Sequence, residues 1–132
     1  MTTGLESIYV PNVSEFLERN NVPIAPAIRA NGFLFLSGAP PIDPDTGELV
    51  KGDVITQTEV IMRQIQATLK AAGSSLDKVV KVTVYCSNSA YFKVINDVYV
   101  KYFGDHKPTR TFVTVASWPM EFDVEIECQA LA

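Results

Sequence analysis

Three stretches of the chain alternate apolar and polar residues with the period of a strand. From Val79 to Cys86, Val80, Val82, Val84 and Cys86 fall on one face and Lys81, Thr83 and Tyr85 on the other. Arg110 to Ala116 sets Thr111, Val113 and Val115 against Arg110, Phe112 and Thr114, and Asp123 to Leu131 sets Val124, Ile126, Cys128 and Ala130 against Glu125, Glu127 and Gln129. Ala27 to Gly38 reads as two short strands or one bent strand, broken at the turn dipeptide Asn31-Gly32. Within it, Phe33 to Leu36 is a continuous apolar run of the kind found in a strand covered on both faces.

Two other stretches follow helical spacing. Thr56-Gln57-Thr58-Glu59 fits a capping box, Ile61, Ile65, Leu69 and Ala72 recur on one side, and Gly73 suits the C′ position. A second helix is expected from about Ser89 to Phe103, with Asn88-Ser89 as its cap and Gly104 at its end. Its stripe of Tyr91, Phe92, Ile95, Val98, Tyr99 and Tyr102 reads as an ordinary core face. The loop or hairpin from Pro40 to Gly52 carries the turn signal Pro44-Asp45-Thr46-Gly47. The first 23 residues are the least regular, with room for one helical turn between Ser14 and Arg19.

The resulting order, β-β-α-β-α-β-β, contains no linker or low-complexity segment. It implies one α+β domain over residues 1–132, a mixed β-sheet with two helices packed on one face. The small apolar residues Val80/Val82/Val84, Val113/Val115 and Val124/Ile126 suit the covered side. The other face is expected to carry Arg110, Phe112, Thr114, Glu125, Glu127, Thr83 and Tyr85. That mixture is too apolar for plain solvent surface and too polar for core, so it suggests an oligomer interface with a polar site at its edge.

Composition narrows the chemistry. The 132 residues are 47% hydrophobic and 20% charged with a net charge of −4, a globular balance without a basic track, which disfavours nucleic acid as a partner. Met1 to Val10 lacks the pattern of a secretory leader and no apolar run is long enough for a bilayer, so a cytoplasmic setting without membrane attachment is expected. Cys86 and Cys128, in hydrophobic surroundings, read as buried free thiols. With one histidine and no cysteine or aspartate cluster, no metal is expected.

Against this background an ordered set of residues resembles the RidA/YjgF family. Pro108-Thr109-Arg110, Val113 and Val124-Glu125-Ile126 match its signature, in which the arginine precedes a closing-strand glutamate by fifteen positions. Leu36-Ser37-Gly38, Asp43-Pro44-x-Thr46-Gly47-Glu48, the Gln57-to-Gly73 helix and Asn96-x-x-Tyr99-x-x-Phe103 extend the similarity over roughly 24–132. The resemblance implies a chorismate mutase-like (YjgF) fold and a homotrimer with a cleft between each pair of subunits. It implies a cofactor-free hydrolase of the 2-iminobutanoate/2-iminopropanoate deaminase type, which converts reactive enamine and imine acids to 2-keto acids and ammonia. It maps carboxylate binding to Arg110, water positioning to Glu125 and a small hydroxyl beside the substrate to Ser37.

The residue types suit those roles. A guanidinium holds a carboxylate through two parallel hydrogen bonds, which fixes the imine carbon relative to one water. Glu125 then orients that water, and a neighbouring Arg110 is expected to lower its pKa and weaken it as a base. Two positions depart from the family. Ile24 in Val22-Pro23-Ile24 replaces a pocket tyrosine, and Phe112 stands two after the arginine, where a cysteine is usual. These departures leave the identity of the substrate open.

Plainer readings exist for each residue. An arginine near a strand start serves equally as a surface or ion-pair residue, Glu125 and Glu127 as edge-strand residues facing solvent, and Ser37 as a turn residue. His106 reads as a solvated loop residue, and Trp118 and Pro119 as packing for their loop. A non-catalytic trimer that binds small carboxylates is the alternative function, motivated by Ile24 and Phe112. Ribonuclease activity fits the acidic balance poorly, and a redox role for the two cysteines fits their burial poorly.

Overall fold

The computed structural model describes residues 4–132. Its elements in chain order are β1 (Leu5–Ile8), α1 (Val13–Arg19), β2 (Ala27–Ala30), β3 (Phe33–Leu36), α2 (Val54–Ala71), β4 (Val79–Cys86), α3 (Phe92–Phe103), β5 (Thr109–Thr114) and β6 (Val124–Leu131). They form one sheet in the order β1-β2-β3-β6-β4-β5. All neighbours are antiparallel except β4 and β5. A parallel pair needs a crossover, and α3 supplies it. The architecture is the expected α+β arrangement with two additions. The irregular start contributes an edge strand, β1, and the turn expected near Ser14 becomes the short helix α1.

The turn at Asn31-Gly32 joins two separate strands, β2 and β3, and both of its residues have positive φ. The Pro40–Gly52 segment closes as a hairpin, with Ile42 bridged to Leu49 and the Asp43 amide donating to the Glu48 carbonyl. Asn88 caps the turn that leads into α3, accepting from the Ala90 amide. The N-cap of helix α2 falls three residues before the expected Thr56. Asp53 is its N-cap and accepts from the Thr56 amide at 2.8 Å, an arrangement in which a carboxylate also meets the positive end of the helix. Gln57 and Glu59, freed from capping, make tertiary contacts instead: Gln57 with Asp123, Glu59 with Lys101 and Tyr102.

The core lies between one sheet face and the helices. Leu34, Leu36, Val82, Val84, Ile126, Cys128 and Ala130 meet Ile61, Met62, Ile65 and Leu69 of α2 and Ile95 and Val98 of α3 in a single cluster. Both cysteines are free and buried there, and burial pushes the Cys128 thiol up to about 12.

Three expectations about the sheet faces fail. The apolar run from Phe33 to Leu36 is covered on one face only, with Leu34 and Leu36 buried and Phe33 and Phe35 exposed. Val79 rather than Val80 is buried, because the β4–β6 register shifts between Val79 and Lys81 and a bulge turns Val80 outward. The alternation along β5 was correct, but its sides were exchanged. Arg110, Phe112 and Thr114 pair in parallel register with Val82, Val84 and Cys86, so they lie on the helix side. Thr111 and Val113 take the other side, with Thr83, Tyr85, Glu125 and Glu127. A period of two assigns residues to one side or the other but does not say which side is covered.

Candidate functional site

Strand β5 forms one edge of the sheet, so a residue on its helix side near the edge is only partly covered. Arg110 occupies that position. Its Nη1–H donates to Asn96 Oδ1 at 2.7 Å, and its Cζ sits 4.8 Å from the Tyr99 ring centroid, 5.7 Å from that of Phe92 and 5.9 Å from that of Phe112. Phe92 and Phe112 meet edge to face at 4.9 Å. Phe92, Asn96 and Tyr99 stand at i, i+4 and i+7 on α3, one helical face turned onto one guanidinium. Cation–π contacts of this kind stabilise the cation by about 0.5–2 kcal/mol each.

What the guanidinium lacks is a carboxylate. Arg29 pairs with Glu6 and Arg63 with Asp43 and Asp45, whereas Arg110 has no ion-pair partner among the described residues. It is a half-buried, permanently charged fork held by neutral groups, with hydrogen-bonding capacity to spare. The Tyr99 hydroxyl beside it is buried without a hydrogen-bond partner among the described residues, and desolvation raises its pKa.

Glu125 lies elsewhere. It is on β6, two strands from β5, and faces the open side of the sheet opposite Tyr85. Its carboxylate packs onto the backbone of Gly38, where a Cβ would overlap Glu125 Oε1, so any larger residue there displaces the Glu125 side chain. Burial raises its pKa, the nearby Glu127 carboxylate adds to the rise, and a hydrogen bond from Trp118 opposes it. The lowered pKa expected from a neighbouring Arg110 is therefore reversed, because the two residues occupy opposite faces of the sheet.

Ser37 and Ile24 meet at a third place, a small cavity that Gln64, Ile65 and Thr68 of α2 also line. The Ser37 hydroxyl donates to the Ala25 carbonyl at 2.7 Å and its amide donates to Pro26, which ties the Val22–Pro26 loop to the end of β3. Ile24, Ser37 and Gly38 line one small cavity, and Ile24 is exposed. The sequence-derived residues thus separate: Arg110 lies with Phe112, Ile24 with Ser37, and Glu125 on the open face against Gly38.

Other residues take different roles from those expected. Glu127 is half-buried and accepts from the Tyr85 hydroxyl at 2.5 Å, instead of facing solvent alone. His106 is docked, its Nε2 2.7 Å from the Val79 carbonyl and its ring against Phe103. Trp118 stacks on Phe122 as loop packing, but it also reaches Glu125. That loop is anchored through Asp123, which accepts from Ser87 and Gln57. The sequence did not show that Phe92, Asn96 and Tyr99 would enclose Arg110: Phe92 and Tyr99 read as part of a core stripe, and Asn96 entered only through the family pattern.

The family model described as Endoribonuclease L-PSP matches residues 17–132. A RutC family protein of Pyrococcus horikoshii is 48% identical over 118 residues, 87% of this chain and 94% of that protein. Reactive Intermediate Deaminase A, chloroplastic, of Arabidopsis thaliana is 40% identical over 82% of this chain and 58% of its own length. Among solved structures, E. coli TdcF with bound serine superposes with a TM-score of 0.77 at 34% identity, covering 83% of this chain and 88% of that one. Among the described residues no helix is long and apolar enough to cross a membrane.

Proposed function

The chain belongs to the RidA/YjgF family, and on that premise we propose that it hydrolyses small imine and enamine acids to 2-keto acids and ammonia. The observation that carries this reading is Arg110, a half-buried guanidinium packed by three rings and Asn96 and left without a carboxylate. The substrate's carboxylate supplies the missing partner, and a charge-assisted contact of about 1.5–3 kcal/mol holds it. Two named relatives support the direction: one is called a reactive intermediate deaminase, and another was solved with serine bound.

In the proposed reaction the imine is protonated on nitrogen and a water oxygen adds to its carbon. Glu125 orients that water and takes its proton as the C–O bond forms. Glu125 returns that proton to the nitrogen of the tetrahedral adduct, ammonia leaves as the C–N bond breaks, and the adduct's hydroxyl proton passes to solvent, leaving the 2-keto acid and an ionised Glu125. The raised pKa of Glu125 makes its ionised form a stronger base than an ordinary carboxylate. Ser37 retains lone pairs for the incoming group, since its proton is committed to Ala25.

Arg110 and Glu125 face opposite sides of one sheet, so a small substrate meets both only across a subunit boundary. The homotrimer is the proposed assembly, with the open face as its contact. That face carries Phe33, Phe35 and Leu131, exposed and uncovered by any helix.

The test is a coupled assay. An amino-acid oxidase or a threonine dehydratase generates the imine, semicarbazide traps it, and suppression of trapping reports hydrolysis. Wild type should suppress trapping, and Arg110→Ala and Glu125→Ala should not. Mixing the two inactive variants under subunit exchange should restore about a quarter of the clefts, because each complete site draws one residue from each neighbour. Absence of hydrolysis by wild type, together with tight 2-keto acid binding that needs Arg110, would shift the reading to a carboxylate-binding module.

A further inference from the structure

The surroundings of Arg110 also bear on the rest of the substrate. Asn96 occupies Nη1, so a carboxylate approaches the guanidinium by its remaining N–H groups. The reacting carbon lies one bond beyond that carboxylate, and the substrate side chain begins at the next atom. Two rings stand at that range, with centroids 5.7 Å and 5.9 Å from Cζ. Phe112 is half-buried against the core and backs Phe92, whose ring is 47% exposed although it is large and apolar. The edge-to-face contact between them fixes the exposed ring in place.

Resting on the imine-hydrolase reading above, we propose that Phe92, braced by Phe112, is the wall against which the substrate's side chain packs. The site therefore selects imine acids with an apolar side chain of several carbons, aliphatic or aromatic, over those with a methyl or hydroxymethyl group. A guanidinium alone discriminates no side chain. An apolar ring beside it does, by about three- to fourfold for each methylene taken out of water.

The experiment compares imines made by an L-amino-acid oxidase from alanine, leucine and phenylalanine, each in the presence of wild type, Phe92→Ala or Phe92→Leu. For wild type, kcat/KM for the leucine-derived imine should exceed that for the alanine-derived imine by at least tenfold. That ratio should fall at least fivefold in Phe92→Ala and remain within about twofold in Phe92→Leu, which keeps an apolar wall. Because the readout is a ratio within one preparation, a partly unfolded variant does not imitate it. A flat panel, a preference for the alanine-derived imine, or a ratio unmoved in Phe92→Ala overturns the proposal while leaving imine hydrolysis intact. If wild type hydrolyses no imine, the function fails first, and titration with 2-oxobutanoate and 4-methyl-2-oxopentanoate decides the wall separately. Tighter binding of the larger keto acid, lost in Phe92→Ala, upholds it; equal binding or none overturns it.

Discussion

Gly38 offers the sharpest separation of chemistry from folding. Its backbone is not in the left-handed region, so alanine meets no conformational penalty there. The new methyl would instead collide with Glu125: its three nearest atoms, Oε1, Cδ and Cγ, all belong to that one flexible side chain. Relief therefore comes by rotating Glu125 away from Gly38. A displaced rotamer costs on the order of 0.5–1.5 kcal/mol. Replacing Gly with Ala returns about 0.4–1 kcal/mol through the unfolded chain. The two nearly cancel, and for a domain of this size the melting temperature of Gly38→Ala should stay within about 5 °C of wild type.

Activity should not stay. A carboxylate moved by 1 Å or more no longer holds the attacking water in line, a loss of about 100-fold, or roughly 2.7 kcal/mol of barrier. The assay is kcat for imine hydrolysis alongside thermal melting, with Glu125→Ala and the double variant completing a cycle. Since both single changes remove the same water contact, the double variant should be no slower than Glu125→Ala alone. Full kcat in Gly38→Ala would refute the role given to Glu125. A melting temperature lowered by 10 °C or more would refute the claim that only a side chain must give way.

Other consequences follow from the same geometry. Arg110→Lys keeps the charge but loses the fork, so KM should rise by about tenfold to a hundredfold; an unchanged KM would mean the carboxylate is bound elsewhere. With Glu125 raised above the ordinary carboxylate value, kcat/KM should fall on acidification with an apparent pKa above that value, and Glu125→Gln should abolish that limb. The same shift acts on stability in the opposite sense. The native state holds the Glu125 proton more tightly than the unfolded chain, so this contribution is present at low pH and is lost as pH rises through the raised value. Glu125→Gln should then melt higher than wild type at pH 7. Tyr99→Phe removes a buried hydroxyl that has no partner, and should raise the melting temperature by about 3–5 °C, roughly 1 kcal/mol; a fall would reveal a partner such as an ordered water.

Much of the fold was legible because its signals are local. The alternation of β4, β5 and β6, the break at Asn31-Gly32 and the apolar period of α2 depend on neighbours within a few residues, and each produced the expected element. Strand β1 was not legible, since Leu5-Glu6-Ser7-Ile8 is short and gains its order from pairing with β2. Asp53 won the cap over Thr56 because Gln57 and Glu59 were drawn into contacts with Asp123, Lys101 and Tyr102, which are distant in sequence. The residues of the candidate site were named through the family resemblance. Their partition was not legible, because the side of β5 that carries Arg110 is set by parallel pairing with β4, a long-range fact.

That partition changes what the departures from the family pattern mean. Had Arg110, Glu125, Ile24 and Phe112 lined one pocket, two bulky apolar replacements would simply have narrowed it. Instead they fall on different halves. Ile24 lines a cavity with Ser37 and Gly38, apart from the arginine, and it removes a hydroxyl there. Phe112 sits with Arg110 and acts through Phe92, where an apolar surface is exposed beside the cation. The first substitution therefore bears on turnover and the second on which side chain is accepted, so the two effects should separate into kcat and into the ratio of kcat/KM between substrates. On the proposed reading, the fork of Arg110 and the close approach of Glu125 to Gly38 are the parts the reaction needs, and the kcat of wild type against the side-chain panel tests whether the altered residues change the substrate or abolish turnover.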